Sequence, residues 1–131
     1  MAAGWNPVLV DTILDSIFSA GTWTPPAASW LQLHTGDPGV NGTGNLSSFG
    51  SRVALTWSSA TGGSKSLSAS VTVTASWAGT SPETITHVSY WDSSSGGTFI
   101  VSDQLAASVT VNTGDALNLP SATAPWSPIA A

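Results

Sequence analysis

The chemistry open to this chain is bounded by a short inventory of reactive side chains. Its 131 residues include two histidines, His34 and His87, seven carboxylates, two cations, Arg52 and Lys65, and no cysteine. Without cysteine there is no disulfide framework, no thiolate nucleophile and no cysteine-ligated zinc or iron–sulfur site. A zinc site built from other side chains needs a cluster of His and carboxylate ligands, and His34, His87 and the scattered acids offer none at ligand spacing. Each histidine therefore reads as a hydrogen-bonded structural residue. Asp37, Asp92 and Asp115 each neighbour glycine or serine turns, where an aspartate caps backbone amides. No feature pairs two carboxylates across a cleft as glycosidase chemistry requires. Serine is abundant, yet there is neither a Gly-x-Ser-x-Gly elbow nor a phosphate-cradling loop ending in Gly-Lys-Ser or Gly-Lys-Thr. The expectation is a protein that is not an enzyme, with no catalytic residue, cofactor or metal.

Polarity is supplied in an unusual way. Apolar residues make up 41% of the chain and charged residues only 7%, against roughly 25% charged in an average soluble protein. The balance is carried by 22 serines and 16 threonines. Such a chain is apolar enough to fold, and its length fits one domain. The net charge of −5 leaves a nucleic-acid-binding surface without electrostatic footing. No Lys or Arg precedes the apolar stretch near the start, and Asp11 and Asp15 interrupt it, so it does not read as an export signal. No apolar run approaches the ~18 residues of a spanning helix, so membrane insertion is not expected.

The elements that would position these residues follow from periodicity. Val10, Ile13, Leu14, Ile17 and Phe18 share one helical face, Asn6 can cap the helix, Pro7 suits its first position and Gly21 follows its last turn. A helix is expected over residues 7–20, as a lid closing one end of the core. A free helix recruiting a partner is the alternative. After Pro25-Pro26 the period changes to two. Strands are expected at 30–34, 52–57, 67–77, 84–91, 98–103, 108–112 and 115–119, an antiparallel β-sandwich of about seven strands with one N-terminal helix. The clearest alternation is Leu67, Ala69, Val71, Val73, Ala75 and Trp77 against intervening serines and threonines. The chain divides into a helical lead-in (1–24), a sandwich body (25–120) and an extended arm (121–131) kept out of a sheet interior by Pro125 and Pro128.

Two features suggest partners. Uncharged, lysine-poor strand edges invite further pairing unless something covers them. Seven tryptophans exceed what so small a core ordinarily buries, and tryptophan is enriched at interfaces. Trp5, Trp23 and Trp126 lie outside the strands and are the candidate intersubunit anchors, or else plugs for the ends of the sandwich. Trp57, Trp77, Tyr90 and Trp91 could stack on sugars if they shared an outward face. Strand parity instead turns Trp57 and Trp77 inward and sends consecutive Tyr90 and Trp91 to opposite sides.

A family resemblance rests on several runs. Leu31-Gln32-Leu33-His34-Thr35-Gly36-Asp37-Pro38-Gly39 is followed by Asn41-Gly42-Thr43-Gly44-Asn45 and by Arg52 opening a strand. Downstream, Ile85-Thr86-His87-Val88 leads to Trp91-Asp92 and Gly96-Gly97, and Val111-Asn112-Thr113-Gly114-Asp115 precedes a last strand. This order resembles the small tail-fibre-like or minor structural virion proteins of phages infecting actinobacteria. Leu46 after Asn45 and Ser51 before Arg52 depart from that pattern. The resemblance implies a non-enzymatic virion part. Among virion positions, the absence of repeats or a coiled coil favours a head decoration protein bound in many copies to the major capsid protein or other virion proteins, as a homo-oligomer for which a trimer would suit a capsid lattice. The alternatives are a tail-fibre-like or minor tail protein touching the host surface, through a glycan for instance, and a carbohydrate-binding module.

Overall fold

The computed structural model describes residues 4–125, with side chains described as far as residue 122. It is mainly β with one helix, in the order α1 (Pro7–Phe18), β1 (Ser29–His34), β2 (Val53–Leu55), β3 (Ser64–Ser66), β4 (Val71–Thr74), β5 (Glu83–Trp91), β6 (Phe99–Val111), β7 (Leu117–Leu119) and β8 (Thr123–Pro125). The main sheet has the order β2-β1-β5-β6, and β3-β8 and β4-β7 form two-stranded sheets. Every pairing is antiparallel. The arrangement is sandwich-like. Leu31, Leu33, Val88 and Tyr90 on one face of the main sheet meet Val73, Trp77, Ile85 and Val111, with Val71, Leu117 and Leu119 packed against them. Trp77 is 1% exposed and stacks on Phe49 at 5.7 Å.

The alternating run at 67–77 is not one strand. Only Val71–Thr74 is regular, with a bulge between Thr72 and Thr74. Before it, Leu67 N–H donates to Ala122 O and Ser68 N–H to Thr56 O, which pulls the chain toward other partners. Val73 and Trp77 point inward as their phase predicts, whereas Ala69 and Ala75 are exposed. The two strands expected at 98–103 and 108–112 are one 13-residue strand. Its register with β5 jumps between the pairs His87↔Gln104 and Ile85↔Val109, so residues 105–108 form a wide bulge. That bulge blunts the outer edge, and Leu105 packs against the core. No strand is expected between residues 57 and 67, yet β3 lies there, and its partner β8 includes part of the expected arm.

The helix is capped as its sequence suggests: Asn6 Oδ1 accepts from Val8 N–H and Pro7 opens the first turn. It ends two residues earlier than expected, with Ser19 N–H and Gly21 N–H both donating to Asp15 O. Its seat departs from the lid expectation. No residue of α1 is buried, and Val8, Leu14, Ile17 and Phe18 are 71%, 41%, 62% and 80% exposed. What fastens this end is the segment ahead of the helix: Ser102 N–H donates to Gly4 O, Asn6 N–H to Ile100 O and Asn6 Nδ2 to Phe99 O. Residues 4–6 thus cover part of the β6 edge.

Candidate functional site

Alternation places Gln32 and His34 of β1 on the same side as Ser89 and Trp91 of β5, because Gln32 pairs with Ser89 and Trp30 with Trp91. This is the side turned away from the core, and the segment between β1 and β2 folds back over it. His34 is wholly buried at the end of β1. Its ring lies 2.7 Å from Gly44 O through Nδ1 and 2.7 Å from Ser89 Oγ through Nε2. A carbonyl only accepts, so Nδ1 carries the proton and Nε2 accepts from the Ser89 hydroxyl. The Trp91 Nε1–H then donates to Ser89 Oγ at 2.8 Å. Desolvation by burial holds the His34 imidazole below its ordinary 6.5, opposed by the Gly44 hydrogen bond. Ser89 and His34 have the contact of a nucleophile and its base. Both are 0% exposed, so no substrate atom can approach the hydroxyl, and the pair acts as a buried clamp.

The turn after β1 continues this framework. Asp37 Oδ1 accepts from Gly39 N–H at 2.8 Å, the chief reason its carboxyl titrates below the ordinary range. Thr35 N–H donates to Asn45 O, Asn45 Nδ2 to Asp37 O and Gly44 N–H to Pro38 O, with Pro38 buried. Gly42 has a φ of +70° and sits against Phe99, where a Cβ would lie 2.3 Å from the ring. Only glycine satisfies both conditions. Arg52 closes the far end: its guanidinium lies 3.8 Å from the Trp91 ring centroid, Nε donates to Gln32 Oε1, and Nη1 donates to Ser93 O and Gly96 O. Asp92 Oδ1 accepts from Thr98 N–H across the same hairpin turn. Trp91 meets the Phe99 ring in a tilted contact, centroids 5.6 Å apart and planes at 56°.

The structure therefore brings His34, Gly36, Asp37, Pro38, Trp91 and Asp92 into one framework. His87 pairs with His34 across the strands but turns its Nδ1 to Thr86 Oγ1 at 2.8 Å. Gly114 and Asp115 lie elsewhere, beside the core, where Gly114 N–H donates to Trp77 O and Trp77 N–H to Asp115 O. Asp115 Oδ2 caps Asn112 N–H. Gln32, Ser89 and Gly44 complete the framework and were not singled out from sequence. For Gln32 and Ser89 the signal was parity with His34 and Trp91. Among the described residues no three His, Cys, Asp or Glu side chains gather as metal ligands.

On the core side of the main sheet, a cleft of about 1050 Å³ opens beneath α1. Trp5 and Trp23, two of the three anchors expected from sequence, line it together with Trp57 and Tyr90. The third, Trp126, lies outside the described residues. Trp57 and Tyr90 meet at 5.9 Å, and Trp57 Nε1 donates to Ser29 Oγ. Burial, reinforced by Asp103, pushes the Tyr90 phenol up to about 12, so it stays a neutral hydroxyl. The opposed directions of Tyr90 and Trp91 are those that strand parity requires: one faces this cleft, the other the buried clamp.

Comparison with known proteins places the chain in a family. No curated protein matches the chain. A family model described as podophage GP4 fiber I protein gp80 matches residues 4–125. That span holds the helix, the turn after β1, the Arg52 clamp and the Gly114-Asp115 turn. The chain accordingly belongs to the family of the podophage GP4 fiber I protein gp80 and is a phage virion structural protein.

Proposed function

We propose that the chain is a non-enzymatic component of a phage tail fibre, held by other virion proteins and exposed to the host surface. The observation that carries this reading is the family match to a podophage fibre protein across residues 4–125. It replaces the head-decoration reading, which rested on the lack of repeats or a coiled coil. A fibre can include compact modules, and shortness alone does not choose between head and tail. The framework around His34 and Arg52 supports the proposal, since it fixes the β5–β6 hairpin turn through two carbonyls and a stacked guanidinium. Actinobacteria, the host group implied by the sequence resemblance, are the first hosts to test.

The deciding experiment is the copy number of this chain per purified particle, measured by quantitative mass spectrometry against the major capsid protein and paired with immunogold labelling. A handful to a few tens of copies, with gold at the tail, is the expected result. Hundreds of copies with gold on the head would return the protein to decoration.

A further inference from the structure

The cleft beneath α1 has a composition that the fold alone does not require. Trp5 is 37% exposed and Trp23 is half-buried, and both line the cleft together with Trp57 and Tyr90. At about 1050 Å³ it stands at the upper end of ligand pockets, which run from roughly 300 to 1,000 Å³. Thr24 and Thr56 add hydroxyls able to donate and accept.

Electrostatics narrows the ligand. The lining carries one cation, Lys65, and one carboxylate, Asp92. Both are already engaged, Lys65 Nζ with Ser58 O at 2.8 Å and Asp92 Oδ1 with Thr98 N–H at 2.7 Å. The cleft is thus neutral overall, in a protein of net charge −5. Polyanions are repelled, and a cationic ligand finds no cluster of acids. The lining sets aromatic rings and hydroxyls among aliphatic side chains such as Leu9, Ile13 and Ile100, without net charge. A pyranose chain complements it, since its C–H faces pack on the rings and aliphatic groups while its hydroxyls exchange hydrogen bonds with threonine. We propose that this cleft binds a neutral oligosaccharide, with Trp23 and Trp5 as the stacking residues. The identification of that sugar with the host surface rests on the tail-fibre reading; the binding chemistry does not.

The test uses the full chain against an array of neutral oligosaccharides built from glucose, galactose, mannose, rhamnose and N-acetylglucosamine, with heparin as the charged probe. Retained probes are then titrated by tryptophan fluorescence. At least one neutral probe is expected to bind, with affinity falling about tenfold or more in Trp23→Ala and in Trp5→Ala and recovering in Trp23→Tyr. Unfolding midpoints measured alongside identify any variant whose loss is one of folding, and the other variant then carries the test. Retention of no neutral probe, unchanged affinity in both variants, or preference for heparin would overturn the proposal. So would sedimentation showing an oligomer that Trp23→Ala dissociates, because the cleft would then hold a second copy. A chain found at the tail that binds no sugar refutes only this inference. A head-bound chain that binds sugar refutes only the fibre reading.

Discussion

The two sides of the main sheet are built by different means. On the side turned from the core, the turn after β1 is tied down residue by residue, by His34 to Gly44 and Ser89, by Arg52 to Gln32, Ser93 and Gly96, and by Gly42 fitted against Phe99. Beneath α1, the helix buries no residue and a cleft separates it from the strands. Buried directional bonds over-determine one geometry, since each lost partner leaves a polar group unsatisfied. A helix with an exposed apolar stripe is held by few contacts, and its stability is correspondingly local. The lesson is that rigidity in this chain comes from polar closure, while the apolar, aromatic side is where space is left.

Substitutions can break this contrast, and they rank by size. Gly42→Ala should do the most damage, about 3 kcal/mol or more in urea unfolding, because overpacking against Phe99 adds to the cost of a positive φ. Little loss would mean that the turn is free to move. His34→Ala should cost about 2–3 kcal/mol, as it deprives Gly44 O and Ser89 Oγ of partners and leaves a void. Acid should act on the same group. The folded His34 titrates below 6.5, so its contribution is fully present above that value. It is lost as pH falls through the lower folded value, where the unfolded chain already holds the proton. Unfolding midpoints from pH 8 to 4 should show this decline, and His34→Gln should flatten it. Smallest of all, Phe18→Ser on the outer face of α1 should change stability by no more than about 0.5 kcal/mol. A loss of several times that would show the helix to be as firmly seated as the opposite side.

Much of this was legible in sequence, and the reasons differ by element. The start of α1 was plain from Asn6-Pro7 and β1 from the alternation of Leu31 and Leu33 with Gln32 and His34, because in each the local signal and the tertiary partner agree, whereas in β5 the register shift between Ile85 and His87 breaks the alternation. β3 and β8 were not legible: Ser-Lys-Ser and Thr-Ala-Pro have no apolar alternation, and proximity alone pairs them. The bulge that fuses two expected strands into β6 was hidden because the short residues Ala106 and Ala107 carry no alternation and fell between the strands expected at 98–103 and 108–112. At the site, His34, Asp37 and Trp91 stood out by motif. Ser89 did not, since one more serine among 22 carries no local signal until β1 is laid beside β5. Trp57 was assigned to the core by phase, and it both packs against the core and lines the cleft.

The two cations are each held by backbone carbonyls: Arg52 by Ser93 O and Gly96 O, Lys65 by Ser58 O. Mobile ions weaken contacts between separated surface charges, whose reach shrinks to roughly 10 Å at 0.1 M. Bonds from a cation to a neutral carbonyl over less than 3 Å fall well inside that distance, and dissolved salt has little purchase on them. The Arg52 clamp should therefore keep its two carbonyl bonds as ionic strength rises, because they run to the main chain.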